Sequence, residues 1–486
     1  MTFDIPLIDT SELRVVGLKK KSVVVVASQE VQMTSARSGF AGLLLTASFL
    51  LSFTSNATAL PAFARKYGLR CSACHEAWPM LNYFGQKFKD NGYQLMNDRD
   101  SPVWQNPSYW PVTFRMTPFW HRESTDKITY DTPGGGSALR RLTFTGFDYG
   151  GLDILSAGTI EKNISFQIIP ASDELGSFHI EAVNARLDNL FHSPWLNFKF
   201  GKFELDNIVS EKRGLTLSAS GGGYNLYHFI PAGDGNMFGQ LGDNQIGVEW
   251  MGHSANDRTR LSVAVLSSTD GNPDVPYGSN SYTTFITGSH AFNVGKLGTD
   301  RVGFYAMVGE AATTFLTDGG VPLPNSGVGN KGFSREGFVG LFYFNKLNFQ
   351  VVTQHGSDSP WFGVGFGNPI DDPSAPNFPV NTLPAGFRNP TWNGAFVETH
   401  WVHSPQLIFF QRSEWIRMSQ QADPTAASNL GNLDNYVFGY RYYPIMNSRA
   451  GFAWHNEYSW IRQRGGAPDG TDLTSNSLML GFDFDF

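Results

Sequence analysis

Cysteine is almost absent from this chain of 486 residues: there are two, Cys71 and Cys74. The rest of the chain must therefore hold together without disulfides, and the two thiols are set aside for chemistry. Charge is scarce as well. Asp, Glu, Lys and Arg make up 16% of residues and the formal net charge is -7, so no basic field advertises nucleic acid, and no nucleic-acid partner is expected. Beyond residue 59 no apolar run approaches the ~18–20 residues of a spanning helix, so strands must make any membrane passage there. No Ser-His-Asp set, catalytic carboxylate pair or phosphate loop argues for hydrolysis.

What the chain does have is glycine, 52 residues, and aromatics, 14%, a mixture typical of strand-rich architectures with tight turns and aromatic belts. Its one long apolar stretch is Phe40 to Phe53, preceded by Arg37 and followed by Ala57-Thr58-Ala59. A positive flank, an apolar run and a small-x-small site make a secretory signal peptide over 37–59, cleaved after Ala59. Residues 1–36 sit awkwardly upstream of such a signal. They read as a misassigned or processed extension, with Met33 the natural start.

From Leu60 to about residue 105 the pattern is helical, with Phe63 and Tyr67 before the cysteines and Leu81, Phe84 and Phe88 after them. Pro79 suits a first turn and Gly92 a stop. From 106 the period becomes two. Val112, Phe114 and Met116 alternate with Thr113, Arg115 and Thr117, and Leu347, Phe349 and Val351 flank Asn348 and Gln350. Tight turns such as Asn345-Lys346, His192-Ser193-Pro194, His403-Ser404-Pro405 and Asn447-Ser448 alternate with long polar segments near 204–242, 268–282, 313–334, 357–393 and 462–474. Short turns on one rim and long loops on the other are how outer-membrane barrels are built. The chain closes on Phe482, Phe484 and Phe486, spaced by two, as outer-membrane barrel strands do. The expected fold is mainly β: an antiparallel outer-membrane barrel of about 16 strands over 106–486, in contact with outer-membrane lipid, preceded by a small helical module over 60–105. His-Ser repeated at 192, 253 and 403 reads as three similar turns.

Cys71-Ser72-Ala73-Cys74-His75 is the attachment pattern of a c-type haem. Two thiols on one helical turn add to the haem vinyl groups, and the adjacent imidazole ligates the iron. A redox dithiol would also use CxxC, but it belongs in a βαβ pattern that is missing here. One covalent haem c is therefore expected, with His75 as an axial ligand. Met80 is too close in sequence to reach the opposite face. Met96, twenty-one residues on, is the candidate second axial ligand, with His121 and His455 as alternatives from the wall and an open sixth position as the remaining possibility. A module of about 45 residues is too small to bury a haem alone, so it should dock into the lumen from the periplasmic end.

The segment resembles the fused cytochrome-porins of bacterial outer membranes, including those of iron(II)-oxidising bacteria. The resembling residues are Phe63-Ala64-Arg65, Cys71, Cys74, His75, Pro79, Leu81, Phe84-Gly85, Phe88-Lys89 and Gly92-Tyr93. The resemblance implies an outer-membrane electron carrier that accepts electrons from an extracellular donor such as Fe(II) and passes them to a periplasmic c-type cytochrome, possible iron(II):cytochrome c oxidoreductase activity included. Outward flow to an external acceptor, and a porin with a haem plug or redox-sensing module, stay open, as does an enzyme with an open haem site. Asp371-Asp372 is a loop carboxylate pair of a kind that attracts cations, although such pairs are more often simply solvated. N-terminal mass spectrometry of the membrane-fraction protein should give Leu60 as the first residue; a mature chain retaining 37–59 would refute the signal-peptide reading.

Overall fold

The computed structural model describes residues 61–486 apart from 78, 97–99, 106–109, 134, 173–175, 219, 230–238, 269–280, 295–298, 313–329, 360–388, 420–431, 447–449 and 486. The expected extension and signal segment, Asp371-Asp372, the Asn447-Ser448 turn and the terminal Phe486 lie outside the described residues. The first described elements are α1 (Pro61–Tyr67), α2 (Cys71–Cys74), β1 (His75–Ala77), β2 (Met80–Leu81) and α3 (Tyr83–Asp90). Then come sixteen strands, β3 (Val112–Asp131) to β18 (Leu473–Asp485), each antiparallel to the next. β18 pairs with β3, and the barrel is closed. Closure removes the open sheet edge, so the strands pair with a neighbour on each side within the wall.

Period two decides which side chains face out. On β11 (Thr299–Ala312), Arg301, Tyr305 and Met307 are buried while Val302, Phe304 and Val308 are exposed. On β18, Ser477, Met479 and Asp483 are buried while Leu478 and Leu480 are exposed. The outward phase is thus apolar, while the inward phase mixes polar and charged groups with apolar ones, unlike the polar exterior of a water-soluble sandwich. An apolar surface repeated around a closed barrel is a lipid-facing band, and the barrel has the architecture of bacterial outer-membrane proteins. Among the described residues no helix is long and apolar enough to cross a membrane.

The connections divide between two rims as expected. Residues 162–163, 188–196, 254–258, 345–346 and 405–406 join strands at one end, and the longer 205–243, 268–281, 313–329, 358–390 and 419–431 join them at the other. One long connection departs from the expected solvated loop. The described residues of 205–243, between β7 (Asn197–Glu204) and β8 (Asn244–His253), fold inward and pack within the lumen. Their Leu205, Val209, Tyr224, Leu226, Tyr227, Phe229 and Leu241 form the largest buried core together with Phe285, Trp392 and Phe396 of the wall. Tyr224 stacks on Phe396 at 4.7 Å between centroids.

An irregular backbone inside a barrel must have its hydrogen bonds met by side chains. Glu457 accepts from the N–H groups of Leu217 and Ser218 at 2.7 and 2.9 Å. Glu414 accepts from Leu226 N at 2.6 Å. Arg412 donates to the carbonyls of Gly221, Gly222 and Gly223 and to Thr216 Oγ1, and Arg441 donates to Leu215 O at 2.9 Å. Gln354 on β13 (Leu347–Ser357) donates to Leu226 O at 3.1 Å, and Ser220 reaches Glu123 on β3. Lys212 pairs with Glu181 on β6 (Phe178–Leu187) at 2.9 Å, across the ring from the strands that hold Leu226, so the inward segment is tied on both sides and bridges the bore.

A second tie lies within the segment itself, where His228 on α4 (Asn225–His228) contacts the carboxylate of Glu211. Burial opposes charge on both groups, but their mutual contact outweighs it: His228 is pushed up to about 9 and Glu211 held below its ordinary value. The His228 contribution is complete below its ordinary 6.5 and is lost as pH rises through about 9. The Glu211 contribution is complete above its ordinary 4.5 and is lost as pH falls through its depressed value. Reconstituted in planar bilayers, the protein should therefore pass little ion current near neutrality. Conductance should rise as pH passes 9, and His228→Gln should abolish that step. A large pH-independent conductance in the unmodified protein would contradict a bridged bore.

Candidate functional site

Asn82 holds the Cys71–Cys74 turn in place. It donates from Nδ2 to Ser72 O and Ala73 O at 3.3 and 3.1 Å, and its backbone N–H donates to Cys74 O at 2.9 Å. Its Oδ1 accepts from Gly85 N at 2.9 Å, the N-cap bond of α3. Asn82, not Pro79, therefore starts this helix. Pro79 lies in the turn between β1 and β2, and its carbonyl takes a hydrogen bond from His75 Nδ1 at 3.1 Å. Gly92 sits one residue past the C-cap Asn91 with φ 68°, the stop expected of it. At Gly85 a Cβ would lie 2.0 Å from Cys74 O, so only glycine lets α3 lie against the cysteine turn.

Aromatic rings brace the other side. Phe63 packs edge-on against Phe88 and stacks on Tyr93, both at 5.0 Å between centroids, and Tyr67 donates to Tyr93 O at 3.1 Å and to Asp100 at 2.9 Å. The module then docks on the short-turn end of the barrel. Arg186 on β6 (Phe178–Leu187) donates to Lys89 O and Asp90 O at 2.7 and 2.9 Å, satisfying carbonyls at the C-terminus of α3. Tyr83 donates to Asn256 O in the 254–258 turn at 3.0 Å, and Arg65 donates to Trp110 O and Val112 O, each at 2.7 Å.

Between module and wall lies a cavity of about 340 Å³, within the ~300–1,000 Å³ common for ligand sites. Cys71, Cys74 and His75 all line it. Phe63, Leu69 and Phe88 from the module and Leu155 and Ile169 from the wall make apolar sides. The charged part of the lining is paired: Lys89 and Arg213 with Glu204, Arg115 with Asp153, and Lys212, from the inward segment, with Glu181. His75 is kept neutral by burial, which pushes it down to about 4 against the help of the Pro79 and Met80 backbone. With Nδ1 donating to a carbonyl, the lone pair is on Nε2, the tautomer of a metal-ligating imidazole. Burial pushes the Cys74 thiol up to about 11.

Of the other predicted residues, Met96 is 55% exposed with its sulfur 4.0 Å from Asn189 Nδ2, and the cavity lining does not include it. The structure thus does not bring Met96 to His75. Met80 is buried, its sulfur 3.1 Å from Gln350 Nε2. His121 faces Glu123 at 3.4 Å, and His455 is fully buried against Glu457 at 3.1 Å; neither lines the cavity. His192, His253 and His403 lie at turns or strand ends, and among the described residues no cluster of three His, Cys, Asp or Glu side chains could hold a metal ion.

Sequence reasoning missed Asn82, Arg186 and Glu76. Glu76 is pushed up to about 7 by burial, against the opposing charge of His400, and neither of its carboxylate oxygens has a hydrogen-bond partner. Only the Asn82–Gly85 spacing carried a signal, as an N-cap residue ahead of a helix.

No protein-family model and no curated protein sequence matches the chain. Among solved structures it is similar to the outer-membrane channel DcaP of Acinetobacter baumannii, at 10% identity over 77% of this chain and 97% of that one with a TM-score of 0.45. It is similar too to OprB of Pseudomonas putida, at 9% identity over 77% and 94% with a TM-score of 0.44. A third is an anion-selective porin from Comamonas acidovorans, at 10% identity over 77% and 99% with a TM-score of 0.42. At these values the likeness bears on nothing beyond barrel architecture.

Gly85→Ala should push α3 away from the cysteine turn at an overpacking cost of about 1–3 kcal/mol. A lowered melting temperature for the module, with the barrel still heat-modifiable on gels, is the expected result; an unchanged melt would show that the close approach is dispensable.

Proposed function

We propose that this protein is an outer-membrane electron carrier with one covalently attached c-type haem, which accepts electrons from an extracellular donor, Fe(II) foremost, and delivers them to a periplasmic c-type cytochrome. The observation that carries the reading is that Cys71, Cys74 and His75 line one cavity whose far side is the barrel wall. The residues present suit that group. Cys71 and Cys74 supply thiols for two thioethers on one turn. His75 offers Nε2 because Pro79 O engages Nδ1. Phe63, Phe88, Leu155 and Ile169 give apolar walls for a macrocycle, and the paired charges of the lining, Lys89 and Arg213 on Glu204, Arg115 on Asp153 and Lys212 on Glu181, give a polar edge where its two carboxylates would compete for the same cations. When bound, the haem supplies a one-electron couple, tuned by burial and by the hydrogen bond on His75.

The bridged lumen supports a carrier over a solute channel: Leu217, Ser218, Leu226 and the three glycines 221–223 are each bonded to the wall, so this part of the inward segment is held in the bore. The short-turn end, where the module docks, faces the periplasm in outer-membrane barrels, which suits delivery to a soluble cytochrome.

Haem should survive denaturing electrophoresis and disappear in the Cys71→Ser, Cys74→Ser double variant, because thioethers resist conditions that strip a merely ligated haem. Loss of haem from the unmodified chain would end the proposal. Stopped-flow mixing of the oxidised protein with Fe(II) near its working pH should give reduced-haem absorption bands within seconds. A haem that stayed oxidised in excess Fe(II), yet was reduced by periplasmic cytochromes and reoxidised by external acceptors, would reverse the direction of flow.

A further inference from the structure

The chain as a whole is acidic, at -7, but its short-turn mouth is not. Among the described residues there, the exposed charged side chains are Arg70, Lys162, Arg258 and Lys346 against the single acid Glu161. Of the other acids nearby, Asp188 is paired with Arg186, and Asp90 and Asp257 with Arg260; Asp100 accepts from Tyr67 and acts on Lys66, and half-buried Asp300 accepts from Asn293 and the Tyr343 N–H. α3 adds half-buried Lys87 next to Phe84, which is 40% exposed. Arg258 stands close to the start of α3, since Tyr83 donates to Asn256 O two residues before it and the Arg258 charge acts on the Tyr83 hydroxyl. An exposed aromatic with Lys87 one turn along its helix and Arg258 near the start of that helix, on the module that carries the cysteine turn, is an arrangement for a polar, steerable contact.

We infer that the mouth formed by α3 and the 254–258 turn is the docking surface for a soluble redox protein with an acidic face, which rests on the electron-carrier reading above. Opposite charge on a partner raises the encounter rate and orients it toward Phe84 and the cysteine turn, and an exposed contact of this kind weakens as salt rises. Net charge alone would repel an acidic partner. The local field must therefore supply the attraction, and it comes from Lys87, Arg258 and their neighbours.

The test uses the detergent-solubilised full-length protein and two forms of one probe: a basic mitochondrial cytochrome c, and the same protein with its lysines succinylated. Binding is measured by thermophoresis at about 10 and 200 mM salt. The succinylated form should bind at least tenfold more tightly than the native form at low salt and lose most of that affinity at high salt. Lys87→Glu with Arg258→Glu should erase the preference while gel heat-modifiability stays unchanged. Equal or tighter binding of the basic form, or a preference that survives both substitutions, would overturn the inference. A preference seen only in bilayers with anionic lipid would assign the cations to lipid phosphate and overturn it too. Because binding is read whether or not the chain carries haem, absence of haem would defeat the carrier reading without deciding the charge preference.

Discussion

Arg186 reaches from the barrel wall to the carbonyls of Lys89 and Asp90, and the described residues from α1 to α3 are placed by that contact together with those of Arg65 and Tyr83. Arg186 fixes the end of α3; α3 fixes Asn82 through the Gly85 cap bond, and Asn82 fixes the carbonyls of the cysteine turn. A module of about 45 residues buries too little surface to hold such an arrangement alone. The wall contributes what it lacks, both as hydrogen-bond donors to a helix C-terminus and as the far side of the cavity. A barrel is well suited to this because closure pairs its strands with one another, independently of any guest segment.

The same logic governs the inward segment 205–243. Its carbonyls meet arginines and its N–H groups meet carboxylates, all projecting from strands whose inward phase is polar. Removing one member of such a buried charged set leaves its partner unpaired, at a cost of about 3–5 kcal/mol, so each contact defends the next. The lumen is consequently a second core, part apolar around Tyr224 and Phe396 and part ionic around Arg412 and Glu457.

The barrel is legible in the sequence because period two is a property of each strand alone: Val302, Phe304 and Val308 point to lipid whatever their neighbours do. The Cys71–His75 motif is legible because its chemistry is local. The inward fold of 205–243 is not. Its glycines and polar residues look like those of any solvated loop, and the groups that capture it, Arg412, Glu414 and Glu457, lie some two hundred residues away. Met96 has enough chain between it and His75 to reach around a haem, yet a left-handed turn at Met96, φ 61°, and the contact with Asn189 hold it elsewhere. Pro79 has the propensity of a helix start. Its carbonyl instead serves His75, a role no propensity encodes.

The two fillings of the bore are not equivalent. The module occupies the short-turn end, with its cavity against β3 to β8, whereas the inward segment crosses the bore from Glu181 on β6, which pairs with Lys212, to Gln354 on β13 and Glu414 on β15 (Leu407–Met418). Among the described residues the two fillings meet at the cavity, where Lys212 and Arg213 of the inward segment share the lining with Cys71, Cys74 and His75. Both cations are pinned, Lys212 to Glu181 at 2.9 Å and Arg213 to Glu204 at 2.8 Å, so the inward segment is part of the site as well as part of the filling of the bore. On the proposed function, the module supplies the thiols and the imidazole, and the inward segment supplies one charged wall of the site they line.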